Sequence, residues 1–136
     1  MTENESVSPK MTAKTLRGCV TTGCGDAKNW GIDAIRKATG CNGLLPATFN
    51  VRLDTPHKLR VDATLSRGDR TDRRGEDLFF ERCVLALGGG MVRAWIARTS
   101  TNFHGEHVLE IMAEEWLRKQ YRLEDNDPID VQVFVE

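Results

Sequence analysis

Two neutral oxygen donors stand one residue apart in LLPATFNVRL, residues 44–53: the hydroxyl of Thr48 and the side-chain amide of Asn50. On a strand, side chains alternate between faces, so Phe49, Val51 and Leu53 turn one way while Thr48, Asn50 and Arg52 turn the other. A hydroxyl beside an amide oxygen suits a hard cation such as Mg²⁺, which takes few protein ligands and completes its shell with phosphate and water. The same pattern describes a half-exposed strand of an antiparallel sheet, where Thr is at home and Asn is tolerated. The segment alone does not choose between the two.

A second candidate is GCGDAK, comprising Gly23, Cys24, Gly25, Asp26, Ala27 and Lys28. Two glycines one residue apart let backbone N–H groups approach phosphate oxygens, and a helix start just beyond adds positive potential. The run fits neither GxxxxGK[ST] nor GxGxxG, because Lys28 stands where a third glycine would be, so a plain turn competes. The third candidate is Glu110 in HVLEIM. Its neighbours Leu109 and Ile111 should face a core, which sends the carboxylate to the opposite face. There it could serve a ligand or pair with Arg98 or Arg118. His104 and His107 fall on opposite faces of an extended chain, so with Glu110 they predict ordinary polar roles and no metal site.

These residues need elements to hold them. Residues 1–13 are polar and aperiodic and predict a flexible tail, with one folded domain over 14–136. LRGCVTT (16–22) predicts a strand running into the glycine loop, and NWGIDAIRKATG predicts a helix with Ile32, Ile35 and Ala38 on one face and Gly40 as its stop. A short strand is expected near Leu59–Val61. SRGDRTDRRGED (66–77) holds no apolar residue and mixes both charges, as a solvated loop does. DLFFERCVLAL and MVRAWIART predict a hairpin across the glycines 88–90, HVLEIM another strand, AEEWLRKQYRL (113–123) a second helix, and IDVQVFV a last strand. About six or seven short strands against two short helices favour a closed or nearly closed barrel, which removes exposed edges.

Composition narrows the function. The 136 residues carry 19 basic and 20 acidic side chains, a formal charge of -1, which argues against a nucleic-acid or anionic-membrane surface. No apolar run nears the roughly 18 residues of a membrane span, and MTENESVSPKM lacks the pattern of a secretory signal, so a cytoplasmic protein is expected. Cys19, Cys24, Cys41 and Cys83 form no CxxC pair and have no histidine at zinc-finger spacing, which predicts free reduced thiols and no zinc.

Taken in order, LRGCVTTGCGDAK, PATFNV, LEIMAEEWLR and LEDNDPIDVQV resemble the landmarks of the archaeal-type CTP-dependent riboflavin kinases, from Leu16 to about Val135. The resemblance implies a mainly β fold, a single small six-stranded cradle-loop (RIFT-like) β-barrel with two short helices. It implies transfer of the γ-phosphate of CTP to the 5′-hydroxyl of riboflavin, giving CDP and FMN, with Mg²⁺. By position, Thr48 and Asn50 match the metal ligands. Gly23, Cys24, Gly25, Asp26, Ala27 and Lys28, with Glu115, Trp116, Leu117 and Arg118, match the nucleotide site. Thr101 and Asn102 match the flavin contact, and Glu110 matches a flavin ligand placed to align or deprotonate the attacking hydroxyl. Phosphoryl transfer needs chiefly in-line positioning and charge neutralisation, which a cation, a glycine cradle and a few cationic side chains supply.

The chain departs from the family pattern at four places. Ala27 replaces the loop's last glycine, Asn102 a threonine, Glu114 a proline, and Asn126 the glycine of the closing acidic turn. The alternative is a non-catalytic nucleotide- or flavin-binding regulatory domain on the same barrel. Oligomeric state is not legible.

Overall fold

The computed structural model describes residues 12–23, 30–67, 77–101 and 105–135. Seven strands and two helices run in the order β1 (Thr12–Thr21), α1 (Ile32–Thr39), β2 (Phe49–Leu53), β3 (Ala63–Leu65), β4 (Leu78–Leu87), β5 (Gly90–Thr99), β6 (Val108–Ala113), α2 (Leu117–Gln120) and β7 (Pro128–Val135). All pairings are antiparallel, in the order β3-β4-β5-β6-β2-β1-β7. A further β4–β7 pairing, with Leu85 opposite Val131, closes six of the strands into a barrel and leaves β3 outside it on β4. The mainly β six-stranded barrel expected from the sequence is what forms.

Period-two alternation decides which residues enter the barrel. Val20, Val51, Leu85, Ile96, Leu109, Val131 and Val133 all lie fully buried in one interior cluster, each contributing about 1.5–3 kcal/mol relative to exposure. The outer faces of β4, β5 and β6 are covered in turn. There α1 brings Ile35, β3 brings Leu65, and Trp30 and Leu44 join them over Leu78, Phe80, Ala97 and Met112 as a second cluster. The helix forms where its apolar spacing predicts and stops at Gly40, whose φ of 72° is the left-handed conformation of a C-cap. Gly88 and Gly89, at φ 60° and 78°, make the two-residue turn of the β4–β5 hairpin, in which Leu87 pairs with Gly90.

Three local expectations change. β1 begins at Thr12, because Thr12 and Ala13 gain cross-strand partners in Val135 and Phe134 that local composition does not reveal. Leu59–Val61 is not a strand: the Arg60 N–H donates to Glu81 Oε1 and the Asp62 N–H to the Phe80 carbonyl, and the strand lies at Ala63–Leu65. The helix expected over 113–123 shrinks to Leu117–Gln120, since Ala113 completes β6 opposite Ala94 and Arg122 takes a φ of 54°. No helix among the described residues is long and apolar enough to cross a membrane.

One end of the barrel is shut from within. Glu81 continues the inward face of Cys83 and Leu85, accepts from His57 Nε2 at 2.7 Å, and is 1% exposed. Arg98 crosses the same end and donates to the carbonyls of His57 and Val108. The opposite end holds the site.

Candidate functional site

Antiparallel register gathers five pieces at the open end. β1 leaves there at Thr21, β2 enters at Phe49, β6 leaves at Ala113, and α2 and the turn 124–127 lie in the chain between β6 and β7. A cleft of about 380 Å³ opens among them, lined by Leu45, Ala47, Thr48, Phe49, Ile111, Ala113 and the run Glu115–Lys119. Thr48 thus shares a cavity with Glu115, Trp116, Leu117 and Arg118, four residues that the sequence assigned to nucleotide binding. Trp116 is 55% exposed, a large ring held at the rim with nothing apolar covering most of it.

On the outer surface beside this cleft, register builds a row. Thr21 on β1 pairs with Asn50 on β2, Asn50 with Glu110 on β6, and Glu110 with Ala97 on β5. Cross-strand partners have Cβ atoms about 4.5–5.5 Å apart, so the Asn50 amide and the Glu110 carboxyl are immediate neighbours. The alternation that sends Phe49, Val51, Leu109 and Ile111 inward is what turns these two polar groups outward.

Asn50 is not half exposed, as a bare strand face predicts; it is 3% exposed. The cause is the chain leaving β1. Gly23 lies so close that a Cβ built on it would sit 2.6 Å from Asn50 Cγ and 2.7 Å from Oδ1, so only glycine lets the backbone cover the amide. Asn50 Oδ1 is nonetheless buried with no hydrogen-bond partner among the described residues. A buried acceptor facing no donor is what a cation ligand looks like without its cation. Asn50 Oδ1 therefore fits a hard cation as a neutral oxygen ligand, Thr48 lines the cleft two residues earlier, and among the described residues no group of three or more His, Cys, Asp or Glu offers another metal site.

Glu110 is 8% exposed, and its charge is one of those that favour the charged form of Arg98, whose guanidinium burial otherwise depresses. The side-chain bonds described for Arg98 go to the two carbonyls named above, and Arg118 Nη1 goes to Asp125 at 2.9 Å. Thr101 is exposed just beyond β5, its hydroxyl 3.3 Å from that of Thr99. It does not line the cleft. Cys24, Gly25, Asp26, Ala27, Lys28 and Asn102 lie outside the described residues.

Sequence reasoning missed Thr21, Thr22 and Asp125. Thr22 Oγ1 donates to both Asp125 oxygens, at 3.0 and 2.9 Å, across 103 residues, a contact that only the fold creates. Asn126, which replaces a glycine of the family pattern, holds a φ of 75°, a conformation Asn tolerates better than most residues.

The chain is thus a closed six-stranded antiparallel β-barrel with a cleft at one mouth. Residues 20–133 match the CTP-dependent riboflavin kinase family, whose domain is described as domain of unknown function DUF120, and the chain belongs to that family. A riboflavin kinase of Staphylothermus marinus is 32% identical over 56 residues, 40% of this chain and 43% of that protein. The aligned part thus spans less than half of that relative's length.

Proposed function

We propose that this chain transfers the γ-phosphate of CTP to the 5′-hydroxyl of riboflavin, with Mg²⁺. The observation that carries the reading is the juxtaposition of Asn50, whose buried Oδ1 lacks a partner among the described residues, with Glu110 on the adjacent strand, at the barrel end that holds a cleft lined by Thr48 and Glu115–Arg118. Family membership supports CTP as donor and riboflavin as acceptor. A Mg²⁺ held by Thr48 and Asn50 would neutralise phosphate charge.

The chain's own groups do the remainder. Arg118 and Lys119 bring positive charge to the cleft, and Trp116 offers a ring on which a base can stack. Glu110 accepts a hydrogen bond from the ribityl chain and holds the 5′-hydroxyl in line with the γ-phosphorus. The hydroxyl oxygen bonds to that phosphorus, the bond to the β,γ-bridging oxygen breaks, CDP leaves, and the hydroxyl proton passes to the Glu110 carboxylate.

Incubation with riboflavin, Mg²⁺ and either CTP or ATP, followed by chromatography, should yield FMN with CTP preferred. Glu110→Gln should cut turnover at least about tenfold while leaving CTP affinity within about twofold, since it removes the acceptor's base and spares the donor's site. Tight binding of CTP and riboflavin without FMN would make this a binding domain. Equal losses of turnover and CTP affinity in the glutamine variant would remove Glu110 from the acceptor side.

A further inference from the structure

The acidic turn LEDNDP carries two aspartates with different work. Asp127 holds the turn itself: its Oδ2 accepts from the Glu124 N–H at 2.8 Å, and its carbonyl accepts from the Val20 N–H at 2.8 Å. The Asn126 N–H returns a bond to the Val20 carbonyl, so two backbone bonds staple the turn to the end of β1. Asp125 sits between these bonds, and the partners described for its carboxylate all lie outside the turn. They are the Thr22 hydroxyl, one residue before Gly23, and the Arg118 guanidinium in the cleft wall.

We propose that Asp125 is a positioning residue for the donor nucleotide, joining Thr22, just past the end of β1, to the cleft arginine so that the guanidinium meets the phosphates in fixed register. The inference rests on the reading that the cleft takes CTP. Thr22 alone could rotate its hydroxyl freely, and Arg118, whose other bond among the described residues is a 3.3 Å one from Nε to the Leu123 carbonyl, has a long flexible stem. A shared carboxylate restrains both at once. The carboxyl is held below the usual range by the Thr22 hydroxyl first and by Arg118 second, so it is charged at neutral pH. Its exposure makes it a poor contributor to the core, which is why its effect belongs to geometry.

Asp125→Ala should raise the KM for CTP about tenfold, as expected when a charge-assisted bond is lost, and leave the KM for riboflavin and the melting temperature near those of the parent. Thr22→Val should do the same more weakly, and the double variant should lose less than the product of the two single effects. Asp127→Ala should instead lower the melting temperature. If Asp125→Ala does not fold, Asp125→Asn carries the test, because it keeps the shape and loses the charge. A CTP KM within twofold of the parent, or a rise matched by riboflavin, overturns the proposal. Arg118→Ala separates this from the underlying reading: an unchanged CTP KM in that variant places the nucleotide elsewhere.

Discussion

Asn50 Oδ1 is an acceptor taken out of water with no donor among the described residues, a situation that costs about 1–3 kcal/mol. Removing it should therefore relieve the fold while destroying the site. Asn50→Ala is expected to lower FMN formation by about a hundredfold, the scale seen when a group that organises transition-state charge is deleted, with an unchanged or raised melting temperature. Retained activity with a melting point several degrees lower would assign Asn50 to the scaffold. The thiols give a pH-dependent check on burial. Burial, then the charge of Glu81, pushes the Cys83 thiol up, and burial, then the Glu114 carboxylate, raises Cys41 less strongly. A raised pKa means less thiolate at any given pH, so both should lag an ordinary thiol, whose pKa is about 8.5, in alkylation followed by peptide mass. Cys83 should react only on unfolding, and Cys41 should accelerate with increasing pH. Prompt labelling of Cys83 at pH 8 would mean that β4 does not turn it inward.

Strand β2 was legible because its two faces differ so plainly: Phe49, Val51 and Leu53 against Asn50 and Arg52. The hairpin at 88–90 and α1 were legible for the same reason, each having a local signal in glycine placement or apolar spacing. What was not legible depends on partners far along the chain. The covering of Asn50 by Gly23, the strand extension at Thr12 and the Thr22–Asp125 bond all require knowing which element lies beside which. The helix over 113–123 failed for a related reason, since pairing of Ala113 with Ala94 outweighs a weak helical pattern. Gly23→Ala tests the covering. Its methyl must push the Asn50 amide aside, so the Mg²⁺ concentration for half-maximal FMN formation should rise about tenfold, with about 1–3 kcal/mol of destabilisation from overpacking. An unchanged Mg²⁺ dependence would separate Gly23 from the metal site.

At the scale of the molecule, the closing seam and the polar row occupy opposite faces of one sheet. The closing seam is interior, with Leu85 against Val131 and Cys83 against Val133, whereas Asn50 and Glu110 lie on the outer surface. Leu85→Ala should therefore cost about 2–5 kcal/mol in urea unfolding, as cavity-forming changes do, and leave the KM values for CTP and riboflavin unaltered. A change in either KM with the fold intact would show that the interior communicates with the row outside.

The ladder joining β1 to β7 has a consequence for gene order. Thr12 stands opposite Val135, so the two ends of the barrel face each other across a single rung, about 5 Å. A linker of a few residues would make the polypeptide a ring. Cut within the wholly polar run 66–77, that ring becomes a circular permutant that starts at β4 and ends at β3, with every strand neighbour retained. The order in which the ribosome delivers the strands is then a historical choice that the barrel itself does not demand.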